Sequence, residues 1–234
     1  MIAILKRETR AYFDSLIGYI FLTAFFAGSG ILFSVTSLQY GSTSMSGMYS
    51  GLFYILLVLI PILTMRTLSE EKRQKTDQLL LTSPISLSAL VIGKFLAAMI
   101  IYTIGVAMTF VYATVVSFYG AVAWLTVFGN IVGLLLLGAA YIAVGILISS
   151  LTENQVIAAI GGFASMLVLY LIGTIAQIIP IGWIAKIFTD LSFSSRYSPF
   201  TYGVFDFSNV LFFISATVIF LFMTIRVLER RRWS

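Results

Sequence analysis

The sequence contains no cysteine and no histidine, and only 10% of its 234 residues are charged. Without cysteine there is no disulfide framework and no thiolate chemistry. Without histidine there are no His-dependent triads, no haem ligation through His and none of the usual zinc sites. The long apolar runs hold no Asp or Glu at mid-depth, where ion-coupled transporters usually place ionisable groups. That argues against a secondary transporter, although some sodium sites use backbone carbonyls instead. Gly93-Lys94 suggests a phosphate-binding loop, but that motif needs glycine at position 88, where this chain has Ser88. No nucleophile–base pair or metal-ligand cluster is evident. The chain therefore reads as non-enzymatic, with no catalytic, cofactor-binding or metal residues of its own.

What the chain has instead is apolar surface: 60% of its residues are hydrophobic, against 45–50% in soluble domains. A water-soluble fold of this size cannot bury that much, so lipid must be the solvent for most of the chain. The gaps between charges count the spans, at about 20 residues each. Asp14 and Arg66 enclose 51 uncharged positions, room for two spans, Leu16–Thr36 and Gly51–Met65, joined by a Gly/Ser/Thr linker at Ser37–Ser50. Lys94 and Glu153 enclose 58, room for Leu90–Ser117 and Trp124–Ser149. Glu153 to Lys186 holds one span, Val156–Ile179, and Asp206 to Arg226 holds a sixth. Pro61 is expected to kink the second span. Gly47-x-x-x-Gly51 and Gly129-x-x-x-Gly133 match the small-residue packing pattern of membrane helices.

With six spans, twelve of the fourteen Lys and Arg residues share one side, and only Lys186 and Arg196 fall on the other. The positive-inside rule then puts both termini in the cytoplasm. The net charge of +5 is topology signal, not a sign of nucleic-acid binding. The first apolar run is too long for the core of a cleavable signal.

The segments between spans carry the remaining information. Residues 1–14 form an amphipathic interfacial helix or a basic flank. Ser69–Leu81 reads as a charged helix beside the membrane, with Ser69 as its cap, Glu70 and Glu71 in its first turn and a Glu71–Lys75 pair at i,i+4. The exposed apolar cluster Leu79–Leu81 favours a docking surface over a solvated loop. Ser149–Gln155 is a tight polar turn. The aromatic-rich stretch 181–209 is either short helices dipping into the outer leaflet or a simple aromatic belt.

Several stretches resemble the ABC-2-type transporter permease subunits, the membrane halves of ATP-binding-cassette exporters. The opening Leu5-Lys-Arg-Glu-Thr-Arg-Ala-Tyr-Phe-Asp-Ser15, with Gly18-Tyr19, is similar to the gliding-motility-associated subgroup. So are Gly203–Val210 and Leu228–Trp233. Glu70–Pro84, followed by Gly93-Lys94, resembles the family's cytoplasmic signature. Thr76 and the Leu79-Leu80 pair are kept, while Lys75 and Asp77 depart from its Gly-Thr-x-Glu core.

The resemblance implies an all-α, six-span integral membrane protein forming a single transmembrane domain over 1–234. It would carry an N-terminal interfacial helix at 1–14, a cytoplasmic coupling helix at 69–81 and an extracytoplasmic re-entrant segment at 181–209. It implies export driven by a separate ABC ATPase that binds ATP and Mg, a second permease subunit in a homodimer, and a bacterial inner-membrane location. An auxiliary protein with an extracytoplasmic domain is a further partner of that subgroup. ATPase docking falls to Ser69, Glu70, Glu71, Lys72, Arg73, Thr76, Leu79 and Leu80, with Glu153 and Asn154 as a second contact. Phe25, Phe26, Gly28, Gly162 and Phe163 are candidates for the dimer or pathway face. The competing readings are a non-transporting scaffold that docks an ATPase and a stand-alone channel or secondary transporter.

Overall fold

A backbone in hydrocarbon must satisfy its own hydrogen bonds, and runs of apolar residues without charge do so as helices. The computed structural model describes residues 2–75, 86–178 and 180–232 and is built of helices connected by short turns. In chain order they are α1 Ile2–Asp14, α2 Leu16–Phe33, α3 Ser46–Thr64, α4 Ser69–Arg73, α5 Leu87–Ser117, α6 Trp124–Leu151, α7 Gln155–Ile178, α8 Gly182–Leu191, α9 Phe193–Thr201 and α10 Phe207–Arg232. Six of these, α2, α3, α5, α6, α7 and α10, are long and apolar enough to cross a membrane. The chain is an all-helical integral membrane protein.

The expected span boundaries shift in one informative place. A π-turn, Ser34–Leu38, prolongs α2, and α3 starts at Ser46, so the linker between them is shorter than Ser37–Ser50. The glycines and serines there suggest a turn by residue type. Gly41, Ser42 and Ser44 do remain in the connection, with Gly41 at φ +58°, but Ser46, Gly47 and Ser50 are small residues of α3, and with Gly51 they let two helices approach. A Cβ on Gly51 would lie 2.7 Å from Leu32, and one on Gly47 3.3 Å from Thr36. At the start of α5, Ser86 is the cap, its hydroxyl accepting from Ala89 N at 3.3 Å.

Helix α6 is the hub. It packs on α3, α5, α7, α9 and α10 and is buried nearly all round from Leu137 to Leu147, as expected of a helix that is apolar on every face. It approaches α5 closely. The Tyr102 hydroxyl donates to Leu134 O at 2.6 Å, and its ring occupies the space where a side chain at Gly138 would project. The Gly129/Gly133 pattern is likewise used inside the chain, against Gly203 and Phe200. By contrast, α2, α7 and α10 leave apolar residues such as Ile31, Val168, Ile175, Val218 and Phe222 exposed.

The stretch 181–209 contains two short helices, α8 and α9. Helix α8 has no buried residue and packs on α7. Helix α9 inserts into the end of the bundle with Phe193, Tyr197, Phe200 and Thr201 buried. Tyr197 donates to Tyr49 O at 3.0 Å, and the Phe193 ring stacks on Tyr141 with centroids 5.6 Å apart. Arg196 fastens the three local elements together. It pairs with Asp190 at 3.0 Å and donates to Asn209 Oδ1 at 3.2 Å.

Candidate functional site

The opposite end of the bundle, where α1, the α3–α4 elbow, the start of α5 and the end of α6 converge, holds the densest charge. Its centre is Lys94, two turns into α5, with only 1% of its side chain exposed. A buried ammonium is tolerated only with close counter-charges, and Lys94 has two: Glu8 Oε2 at 3.1 Å and Glu71 Oε1 at 2.8 Å. Arg7 pairs with Glu8 at 2.6 Å and with Glu71 at 3.5 Å. Arg7, Glu8, Lys94 and Glu71 thus form a closed ring of alternating charge drawn from α1, α4 and α5. Burial raises the Glu8 pKa, but Lys94 and Arg7 outweigh it and hold the carboxyl below its usual value. Glu8 in turn raises the Arg7 guanidinium pKa through their hydrogen bond.

Gly93 explains how α1 comes close enough. A Cβ there would lie 2.9 Å from Ile4, so its absence lets α1 lie against α5. Gly93-Lys94 therefore serves helix contact and ion pairing. Farther along α1, the Tyr12 hydroxyl donates to Leu63 O at 3.2 Å and lies 3.4 Å from Thr67 Oγ1. Burial raises its pKa to about 12. Between α1 and the elbow is a cleft of about 510 Å³.

Ser149, buried near the end of α6, holds the elbow from the other side. Its hydroxyl accepts from Leu68 N and Ser69 N, each at 3.1 Å, and donates to Met65 O at 3.1 Å. Helix α4 touches both α6 and α7, so Ser69–Arg73 and the Thr152–Gln155 turn between those helices belong to one junction although they are far apart in sequence. In the second segment Glu153 is exposed, while Asn154 caps α7, accepting from Val156 N at 2.9 Å.

The expected coupling helix needs correction. The described helix is Ser69–Arg73 and not Ser69–Leu81. Lys75 has φ +55°, a left-handed conformation that ends the helix. Thr76, Leu79 and Leu80 lie outside the described residues. Ser69 is not the cap: Leu68 holds that position, and the buried Ser69 hydroxyl donates to Met65 O. Glu71 pairs with Lys94 and Arg7. Glu70 pairs with Arg66. Lys72 is buried at 7% exposure, whereas Arg73 is exposed. Sequence spacing cannot reveal that a lysine 23 residues further on draws Glu71 inward.

Among the pathway candidates, Phe25 is buried against Phe21, Gly28 packs on Ile55, and Gly162 packs on Pro61 of the same chain. Phe26 is half-buried and Phe163 exposed. Sequence reasoning missed the ring roles of Arg7, Glu8 and Lys94 and the bridging role of Ser149. The available signal was Lys94 itself, because an ionisable residue inside an apolar helix requires a partner.

No curated protein matches the chain. The family model described as ABC-2 family transporter protein matches residues 31–233, which includes the elbow, both connections of the junction and all six spans except the first part of α2. The chain belongs to the ABC-2 transporter family, as a membrane-spanning component.

Proposed function

We propose that this chain is the permease subunit of an ABC-2-type exporter and that a separate ATPase subunit docks on the junction formed by α4 and the Thr152–Gln155 turn. One observation carries the reading: two connections distant in sequence meet at one end of the bundle, over an ion-pair ring centred on the buried Lys94 and beside an open cleft. Such a surface can receive a push and deliver it to several spans. The twelve basic residues that fall at this end support a cytoplasmic orientation for it and for both termini. ATP and Mg belong to the ATPase, and the permease acts as a pair of identical subunits in a bacterial inner membrane. Helix α9, wedged among α3, α6 and α7, closes the pathway at the far end. The N- and C-terminal resemblances support the gliding-motility-associated subgroup and its auxiliary extracytoplasmic partner.

Co-expression of the tagged chain with its ATPase tests this reading. The expected result is a complex with two copies of each subunit that hydrolyses ATP in lipid. A chain that purifies without the ATPase would overturn it. Hydrolysis that never accompanies cargo movement would favour the scaffold.

A further inference from the structure

The ring at Lys94 joins a helix from outside the family-matched stretch to the docking junction. Helix α1 lies before residue 31, where the match begins, yet it supplies two of the four charges. The two ion pairs that link α4 to α1 and to α5 both end on the same atom, Glu71 Oε1. Lys94 is enclosed, so separating it from its carboxylates would strand a charge away from water. The groups therefore move together more readily than apart. Ile4 against Gly93 and Tyr12 against Leu63 fix α1 to the spans at two further points.

We propose that Glu71 and Lys94 form a relay that passes displacement of α4 to α1 and to the start of α5, making α1 a moving part of the transport cycle. The proposal rests on ATPase docking at α4. Glu71 acts as a positioning residue, and neither it nor Lys94 need touch cargo or nucleotide.

The chain has no native cysteine, which permits paired spin labels in the full complex with the ATPase. Arg10→Cys reports on α1 and Gln74→Cys on the end of α4, each measured against Tyr40→Cys at the far end of the bundle. Distances are compared without nucleotide and with vanadate-trapped ATP. Both pairs should shift in the otherwise wild-type chain. Glu71→Ala severs both ion pairs from α4, while Lys94 and Arg7 keep Glu8. The Glu71 carboxylate is turned inward to Lys94 and Arg7, which leaves docking to the exposed side chains of α4. In that variant the ATPase should therefore still co-purify and the α4 distance should still shift, but the α1 shift should be lost. A Glu71→Ala chain that no longer binds the ATPase would assign Glu71 to docking and overturn its positioning role. The retained α4 shift separates a broken relay from a damaged docking segment. Glu229→Gln, which removes the carboxylate of an exposed pair with Arg226 on α10, should leave both shifts in place. An α1 shift that persists in Glu71→Ala overturns the relay, as does a wild-type complex in which α4 moves and α1 does not. Failure of the ATPase to bind the wild-type chain removes the docking reading and the relay with it.

Discussion

The Ser149 hydroxyl receives the backbone N–H of Leu68, 81 residues earlier, at 3.1 Å. It also receives Ser69 N and donates to Met65 O. One side chain thus satisfies three backbone groups at the break between α3 and α4, where the helix no longer satisfies them itself.

Ser149→Ala leaves the buried N–H groups of Leu68 and Ser69 without that acceptor, while Met65 O keeps the Ser69 hydroxyl, at a cost of about 1–3 kcal/mol for an unsatisfied group. The expected outcome is a lower unfolding temperature in detergent and faster proteolysis near residue 74. Equal values for variant and wild type would mean that water replaces the hydroxyl.

Lys94→Met should cost more, up to about 3–5 kcal/mol, because it removes the buried cation between Glu8 and Glu71 and leaves only the solvent-exposed Arg7 to pair with them. Adding Glu71→Gln should recover part of that loss, which a double-mutant cycle on thermal stability measures. The pH dependence has a defined sign. The Glu8 pKa is depressed in the fold, so its contribution is present above the ordinary value of 4.5 and is lost as pH falls through the lower folded value. Removing Lys94 should flatten that acid loss.

Gly138→Val inserts a branched side chain where the Tyr102 ring already lies. Overpacking of this kind typically costs about 1–3 kcal/mol, and the Tyr102 to Leu134 hydrogen bond should break with it. Loss of thermal stability should be clear, and Tyr102→Ala in the same chain should relieve part of it by opening space. An undiminished melting temperature would show that α5 and α6 can separate without penalty.

The spans were legible because charge is excluded from hydrocarbon, so the gaps between charges directly reflect the lipid-facing length. The junction was legible only in part. Thr152–Gln155 and Ser69–Arg73 stand out as polar interruptions, but their adjacency depends on how α6 and α7 pack on α3. Residue type alone does not distinguish a flanking lysine from one that, like Lys94, lies two turns inside a helix. Burial of α9 was equally hidden. Tyr197 and Tyr49 are 148 residues apart, and an aromatic at a membrane interface has the same sequence signature whether it faces lipid or the core.

The docking surface gives the last prediction, and it separates two classes of contact. Arg73 and Glu153 are exposed at the junction, where a pair with the ATPase remains hydrated and is worth about 0.2–1 kcal/mol. Charge reversal at either should weaken ATPase co-purification by about fivefold or less, with an effect that shrinks as salt rises. Leu79 and Leu80 are different in kind. An aliphatic side chain fully buried by a partner contributes about 1.5–3 kcal/mol, so Leu80→Asp should detach the ATPase or abolish its stimulation at any salt concentration, while the six spans remain inserted. The comparison is read by pull-down across a salt series, alongside ATP hydrolysis. If Leu80→Asp binds and stimulates as wild type does, the anchor lies elsewhere on the junction. If instead Arg73→Glu has the larger and salt-independent effect, the contact is a desolvated ion pair, and α4 docks through its charged end.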